Sequence, residues 1–271
     1  MDNLAPKQPQ KSLRRYASGW SILAIVILAL GVYFIPQTIT YYKLRPMLFC
    51  PPDAPPRGWS SVPRPLSDTA TSIAEGITLS YYGYSFDVPW EEIDKQWNEG
   101  RTVKVLFKTG QVVIFNNPEY FDWNPINSFS GQVDQDSFKQ AFGTGIHQSK
   151  YEQFEAVISA TPSQLSPFRS HKEFARIRTL IEIKGLWFEH STAAPDIFSF
   201  ETGDYRGFEE SGLSHDWQNV VLHLFDRGDR HWFTILIAGD ARSGVRLTQD
   251  EINRVIRSFR KTPSQPNPMP K

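Results

Sequence analysis

The pattern of hydrophobic and polar positions begins with a long apolar run near the N-terminus. No charged residue occurs between Arg15 and Lys43, and residues 19–35 are apolar or aromatic except for one serine. A helix that spans a bilayer needs about 20 mostly apolar residues. Trp20 near one end and three tyrosines near the other are suited to the two membrane interfaces. The pattern therefore predicts one transmembrane helix over residues 19–42, in contact with membrane lipid.

Three alternatives to an uncleaved membrane anchor fit the run less well. A buried core helix would need a polar stripe or other helices able to surround it. A secretory signal peptide has a shorter apolar core of about 7–15 residues and a small-x-small cleavage site after it; the one weak candidate, residues 29–31, lies inside the run. A lipoprotein would be acylated at Cys50, but Phe49 stands where a small residue is required.

Basic residues around the run favour one orientation. Four Lys or Arg residues precede it within residues 1–18, whereas only Lys43 and Arg45 follow it closely. Cytoplasmic flanks are enriched in Lys and Arg. We therefore predict a single-pass signal-anchor topology, with a basic cytoplasmic segment at residues 1–18 and the remainder of the chain extracytoplasmic. The lone cysteine suits a bacterial envelope protein, most simply one of the inner membrane.

Prolines mark the boundaries of the region after the predicted span. Seven prolines occur between Pro46 and Pro65, and proline favours extended, solvated backbone. Residues 43–72 are therefore predicted to form a Pro-rich linker. Residues 73–261 form the predicted extracytoplasmic domain, and the Pro-rich residues 262–271 a disordered tail.

Alternation of apolar and polar residues predicts the strands of this domain. Residues 75–89 indicate one or two strands. Two hairpins are clear, one over residues 102–115 around Gly110 and one over residues 219–238. Residues 197–202 and 205–209 predict two further strands. We also expect a strand from Arg176 to Phe188, although residues 172–180 could begin as a helix.

Capping signals and apolar spacing predict the helices. Ser149 and Glu152 form one capping box, and Thr248 and Glu251 form another; in this motif each side chain binds the other residue's backbone N–H. The helices that follow are predicted to run to about Ala160 and Phe259. Asp134 can cap a short helix that ends at Phe142. A further short helix is expected from Trp90 to Trp97, because apolar residues there recur at i, i+3 and i+7 and Gly100 follows.

Strands in hairpins combined with a few amphipathic helices predict an α+β fold, with a largely antiparallel sheet and helices packed on it, preceded by one transmembrane helix. The opening segment Tyr84 to Pro89, the central hairpins and the final helix at Glu251 to Phe259 resemble PsbP-type α/β/α sandwich domains. Uncharacterised membrane-anchored bacterial proteins have a similar layout. The resemblance implies an accessory, non-enzymatic role, and residues 116–175 are longer than those small sandwiches require.

Composition and charge limit the classes of partner. The 29 basic and 29 acidic residues balance over the whole chain, but residues 73–262 carry 20 basic and 26 acidic side chains. A net negative domain is a poor ligand for nucleic acid, so we expect no nucleic-acid partner. The neutral total combines a basic N-terminal end with an acidic domain, which agrees with the predicted orientation.

A search for catalytic or metal-binding motifs predicts no catalytic site, no cofactor and no metal. Phosphate-binding, nucleophile-elbow and zinc-protease motifs are absent from the sequence. His223 and His231 flank a hairpin loop and could be cross-strand neighbours, but two imidazoles are an incomplete ligand set. The run from Ser214 to Asp216 is interpreted as a polar turn. The consecutive carboxylates Glu91/Glu92 and Glu209/Glu210 are interpreted as solvated surface.

One aromatic segment is the candidate for partner binding. Tyr120, Phe121 and Trp123 lie among Asn and Asp residues and could hold a protein or ligand, or could pin the loop to the core. The function predicted from the sequence is therefore a membrane-anchored, non-enzymatic binding module with a protein partner in the cell envelope. The alternative is an envelope hydrolase with an unrecognised active site.

Overall fold

A computed structural model describes residues 11–48, 61–67, 76–117, 135–143, 149–188, 195–228 and 231–262. The first element is a 38-residue helix, α1 (Lys11–Leu48), which covers the predicted span and continues beyond it. Its stretch Ser21–Lys43 is long and apolar enough to cross a membrane. The remaining elements form the α+β arrangement that the sequence predicts.

Eight of the described strands form one large sheet. All neighbouring strands pair antiparallel except for the short first strand, which pairs parallel to its neighbour. In spatial order the strands are β1 (Arg64–Pro65), β7 (Asp196–Thr202), β8 (Tyr205–Ser211), β9 (Trp217–Asp226), β10 (Trp232–Asp240), β6 (Val112–Asn116), β5 (Thr102–Phe107) and β4 (Ile93–Glu99).

A second sheet and four further helices cover the faces of the large sheet. The small sheet has the order β11 (Arg260–Lys261), β3 (Tyr84–Val88) and β2 (Ile77–Tyr81). The helices are α2 (Gln135–Phe142), α3 (Lys150–Ser159), α4 (His171–Trp187) and α5 (Gln249–Ser258).

The described residues form two hydrophobic cores, one on each face of the large sheet. One core lies between that sheet and the layer of α5 and the small sheet, and it centres on Phe259, whose ring contacts those of Tyr84, Tyr205 and Phe233. The other lies beneath α3 and α4, where Phe154 packs on the sheet. The middle of the large sheet is therefore buried on both sides.

The structure confirms the hairpins, the strands at residues 77–88 and 196–211, and the short helix that ends at Phe142. Both predicted capping boxes are present. Ser149 accepts from the Glu152 N–H and Thr248 accepts from the Glu251 N–H, with each glutamate bonded back to the cap.

Two predicted elements are wrong. Residues from Ile93 are not helical, because they pair with β5 as an edge strand whose side chains are all exposed; Trp90 alone is buried, against Phe107. The apolar spacing in this segment therefore does not mark a buried helix face.

The segment predicted as a strand from Arg176 to Phe188 belongs to α4. Ser170 caps this helix by accepting from the Glu173 N–H. The β-branched residues suggested a strand, but Ile177, Ile181 and Lys184 recur at helical spacing and face the core. Tertiary packing of this face outweighs the local preference of isoleucine for strands.

The N-cap of α5 at Thr248 is expected to contribute to the stability of the domain, and a substitution can test this. Replacement of Thr248 by Ala removes the acceptor for the Glu251 N–H, and we expect a loss of about 1 kcal/mol in the free energy of unfolding. Chemical denaturation of the full chain in detergent measures the change. Thr248→Ser keeps the hydroxyl and should retain most of the stability; equal losses in both variants would contradict the capping role.

Candidate membrane-proximal site and buried polar groups

The helix α1 changes its surroundings along its length. Between Ser21 and Tyr33 its apolar side chains are exposed, including Ile25, Leu28 and Val32. Exposed apolar residues on every side of a helix are unfavourable in water and favourable in lipid. Beyond Tyr33 one face of the helix packs against the domain, whereas Ile35 and Ile39 on its other side remain exposed.

The contact between α1 and the domain centres on Gln37, whose side chain is only 3% exposed. In the orientation that satisfies its neighbours, the Gln37 amide donates to the Pro167 carbonyl (2.6 Å) and accepts from His171 Nδ1 (3.0 Å). The Tyr33 ring meets the His171 ring edge-on, with centroids 4.1 Å apart. Tyr41 packs on the core beneath α4. These contacts fix the start of α4 beside the candidate membrane-spanning helix.

A shallow cleft of about 420 Å³ lies where α1, α2 and α4 meet. It has cationic and amide groups and no carboxylate in its lining, which consists of Pro36, Gln37, Thr40, Gln140, His171, Lys172, Phe174, Ala175 and Arg178. Arg178 Nε donates to Glu182 (2.8 Å) one turn further along α4. We call this the membrane-proximal cleft; its groups suit an anionic or hydrogen-bond-accepting ligand.

A second cleft, of about 310 Å³, lies at the edge of the large sheet beside β1 and β7. Tyr151 and Arg257 contribute to its lining. The Arg206 guanidinium stacks on the Tyr151 ring at 3.9 Å. Burial, followed by the charge of Glu155, raises the pKa of Tyr151 to about 12. A phenol with this pKa stays protonated at neutral pH, so it can donate a hydrogen bond but is a poor general base.

A buried lysine joins three segments beneath the sheet. The Lys184 side chain is fully buried, and its ammonium donates to the carbonyls of Ile158 (2.6 Å), Ala160 (2.9 Å) and Ser61. Burial lowers the pKa of Lys184 to about 7, and the carboxylate of Glu210 acts in the opposite direction. Three acceptors match the three N–H donors of the charged form. Lys184 thus ties the C-terminal end of α3 and the segment before β1 to α4.

Glu210 and His223 form a polar pair beside this lysine. One carboxylate oxygen of Glu210 accepts from the Trp187 indole N–H (2.8 Å) and lies 3.1 Å from His223 Nε2. The imidazole is almost fully buried among the rings of Phe154, Trp187 and Trp232. A buried His–carboxylate pair beside a lysine of shifted pKa is the kind of cluster found in active sites. Neither cleft described above includes these residues, so the aromatic rings enclose the pair as part of the core.

A second buried carboxylate lies on the opposite face of β8. Glu209 is fully buried and accepts from Gln249 Nε2 (2.8 Å), which also donates to Asn253 (3.2 Å). Burial raises the pKa of Glu209 to about 7, although the hydrogen bonds from Gln249 and Ser211 lower it. The group therefore links the start of α5 to the centre of the sheet and titrates near neutral pH.

The structure separates most of the residues that the sequence grouped as candidates. His223 pairs with Thr234 across the hairpin, not with His231, which instead lies 3.0 Å from Asp226. Among the described residues no group of three or more possible metal ligands occurs. Tyr120, Phe121 and Trp123 lie outside the described residues, as does Cys50, so their predicted role remains a prediction.

The two pairs of consecutive carboxylates differ in their burial. Glu91 and Glu92 are exposed, and Glu92 forms an ion pair with Lys108. The interpretation of Glu209 and Glu210 as solvated surface is wrong, because β8 is covered on both faces and one carboxylate points into each core. Consecutive strand residues alternate between faces, so this pair could not have acted jointly on one substrate.

Sequence reasoning missed the polar residues that organise the structure. Gln37 interrupts an apolar run four residues after Tyr33, a spacing that places both on one helix face. This signal was available. Lys184 and Glu209 gave none, because a charged residue in an amphipathic segment is normally solvated.

Comparisons of the chain with protein-family models, with curated proteins and with solved structures find no match. The resemblance to PsbP-type domains accordingly stays a prediction, and the site is interpreted from its geometry alone.

Replacement of Lys184 by Met tests whether its three hydrogen bonds stabilise the fold. The Met side chain fills a similar volume but leaves the Ile158 and Ala160 carbonyls without a donor, and we expect the free energy of unfolding to fall by about 2–4 kcal/mol. Urea denaturation of the full chain in detergent measures this loss. Lys95→Met, on the exposed strand β4, is the matched control and should change stability little; a similar result for both variants would show that the three hydrogen bonds contribute nothing.

The raised pKa of Glu209 predicts a pH-dependent stability. Between about pH 4.5 and pH 7 the native state retains a proton that the unfolded state has lost, so stability falls as pH rises through this window. Glu209→Gln cannot ionise. The free energy of unfolding of this variant, relative to that of the native protein, should therefore rise by on the order of 3 kcal/mol between pH 4.5 and pH 7. Above pH 7 the difference should stay constant.

Denaturation curves at several pH values measure this difference. The control is Glu201→Gln, which changes an exposed carboxylate in an ion pair with Arg227 on the neighbouring part of the sheet. Its difference from the native protein should vary little with pH. A flat difference for Glu209→Gln as well would mean that the buried carboxyl group does not titrate in this window.

Proposed function

We propose that the chain is a single-pass membrane protein whose extracytoplasmic α+β domain is a non-enzymatic binding module held directly against the membrane. The observation that carries this proposal is the change in surroundings along α1. From Ser21 to Tyr33 its apolar side chains are exposed on every side; beyond Tyr33 one face turns towards the domain, and Gln37 is buried there against α4. An anchor on a free stalk would have no reason to bury a glutamine against the domain.

The length of the uncharged stretch before Pro36 supports a membrane span. Residues 16–35, between Arg15 and Pro36, comprise 20 residues, which extend over about 30 Å as a helix. This equals the thickness of the hydrocarbon region of a bilayer, about 30 Å. The charge pattern supports a cytoplasmic N-terminus, because four basic residues precede the span closely and two follow it.

A partly buried apolar face of the large sheet supports the binding role. Leu106, Val112, Ile114 and Leu236 lie on the same face of β5, β6 and β10, and none of them belongs to the core beneath α3 and α4 as far as the described residues define it. Contiguous apolar surface marks protein-binding sites, and the partly exposed portions of these four side chains contribute such a surface. The aromatic segment with Tyr120, Phe121 and Trp123 begins four residues after the end of β6, so we include it in the proposed binding region.

An envelope hydrolase is less well supported. Hydrolysis requires a nucleophile or activated water that substrate can reach, next to a base. The clearest His–carboxylate pair, His223 and Glu210, is enclosed by aromatic rings. The membrane-proximal cleft has a histidine without a carboxylate, and the cleft at the sheet edge has Glu201 without a histidine.

Fractionation and topology reporters test the proposal. We expect the full chain, expressed in a bacterial host, to remain in membranes after alkaline carbonate washing. A C-terminal alkaline phosphatase fusion should be active, because this enzyme folds only outside the cytoplasm, and a C-terminal fluorescent protein that matures only inside should stay dark.

A pair of charge substitutions provides the control. Ile27→Lys with Leu28→Lys places two charges at the centre of the span, each costing about 3 kcal/mol of insertion free energy, and should release the protein from membranes. Val62→Lys with Ile93→Lys changes two exposed apolar residues outside the helix and should leave the protein bound. Release of the native chain by carbonate, or a silent phosphatase fusion, would refute the proposal.

A further inference from the structure

We propose that the membrane-proximal cleft binds the phosphate headgroup of an anionic phospholipid from the bilayer that α1 crosses, while Phe168 inserts at the adjacent edge of the hydrocarbon region. This inference rests on the proposed function and adds to it a second contact with the membrane. The domain itself, and not only the anchor, would then contact lipid.

The height of the cleft above the membrane follows from α1. If the hydrocarbon region ends near Ile35, Gln37 and Thr40 lie two and five residues further along the helix, or about 3–8 Å beyond this boundary. The headgroup layer on each side of a bilayer is about 5–8 Å thick. Both residues line the cleft, so the cleft lies at headgroup depth.

An exposed aromatic residue marks the same level. Phe168, in the turn before α4, is 79% exposed, and its ring centroid is 6.0 Å from that of Phe34 in α1. The turn is held by the bond between Pro167 and Gln37, and its position relative to α1 is therefore defined. A phenylalanine with this exposure is unfavourable in water and suited to a membrane interface, where it would lie beside Phe34.

The chemistry of the cleft suits a phosphate. Its lining carries Lys172, Arg178 and His171 and no carboxylate. The nearest acidic groups on α4 are engaged, because Glu173 pairs with Arg169 and Glu182 pairs with Arg178 through a single nitrogen. Lys172 has no ion-pair partner within the described part of the chain. Basic pockets beside membrane helices bind anionic headgroups on the cytoplasmic side of membranes, and the same charge attraction acts on the other side where that leaflet contains an anionic phospholipid.

Amide groups add hydrogen-bond capacity. The Gln140 side chain accepts from Thr179 (3.2 Å) through its oxygen, which leaves its NH₂ group to donate. The cleft is shallow and adjoins α1, so a bound lipid can keep its acyl chains in the bilayer along the exposed apolar surface of that helix.

Lipid binding to the full chain can be measured by native mass spectrometry in detergent. The probes are phosphatidylglycerol, which is anionic, and phosphatidylcholine, which has the phosphate but no net charge. We expect phosphatidylglycerol to bind more tightly. The variant Lys172→Gln with Arg178→Gln should weaken its binding about fivefold for each cation removed, with little effect on phosphatidylcholine.

The matched control removes two cations elsewhere. Lys95→Gln with Lys261→Gln changes two exposed lysines, one on the edge strand β4 and one in the small sheet across the large sheet from α4. This variant should bind phosphatidylglycerol as the native chain does. Equal affinity for the two lipids, or equal binding by the two double variants, would overturn the headgroup site.

The depth of Phe168 can be measured separately. A nitroxide at Phe168→Cys, in a Cys50→Ser background and in phosphatidylglycerol-containing vesicles, should be more accessible to oxygen than to a water-soluble nickel chelate. The same label at Lys261→Cys should show the reverse. A label at residue 168 that behaves like the one at residue 261 would overturn the insertion of Phe168.

These outcomes are distinguishable from failure of the proposed function. If the native chain resists carbonate washing and the phosphatase fusion is active, but lipid binding is unselective, the anchor stands and the headgroup site is wrong. If carbonate releases the chain, both are wrong.

Discussion

A buried ammonium group with three backbone acceptors determines how the helical layer is assembled. Lys184 can stay charged inside the core only while the carbonyls of Ile158, Ala160 and Ser61 remain in place around it. None of the three acceptors lies on the helix that carries the lysine. Moving any of them would leave an N–H donor of Lys184 buried without an acceptor. The end of α3 and the approach to β1 are therefore held at one point on α4.

The two-sided burial of the large sheet explains where the other charged groups lie. Strand β8 is covered by α3 and α4 on one face and by α5 on the other, so its successive residues enter different cores. Phe208 packs under Phe154, whereas its neighbour Glu209 meets Gln249 from α5. A carboxyl group in such a place needs a donor, which Gln249 supplies, and burial raises the pKa of Glu209. Polar residues on this strand thus position the covering helices as specifically as the apolar residues do.

The parts of the fold that the sequence predicted are those with a local cause. Ser149 and Thr248 cap helices through bonds within four residues, and the hairpin at Gly110 needs only a positive φ at its turn. The two wrong secondary-structure predictions arose where contacts between residues distant in the sequence determine the conformation. The segment from Ile93 is a strand because its backbone pairs with β5 at the edge of the sheet. The segment with Ile181 is a helix because its apolar face packs on the large sheet.

The candidate site was harder to predict because it depends on elements far apart in the chain. Gln37 and His171 meet only after α1 has been placed beside α4. The burial of Lys184 likewise depends on Ser61, more than 100 residues away. No short motif encodes either contact.

The contacts of Gln37 with His171 and of Ser61 with Lys184 also determine how the domain is connected to α1. The helix α1 contacts the domain at Gln37, before the Pro-rich stretch that begins at Pro46, and the chain is bound to the domain again at Ser61. The two contacts lie at opposite ends of α4, at His171 and Lys184, which are about 20 Å apart along the helix. A segment attached to one rigid body at both ends cannot act as a spacer, whatever its stiffness. The Pro-rich residues after α1 therefore connect two points on the domain. Under the proposed function, the side chains that pack α1 against α4 then set the distance between the domain and the membrane.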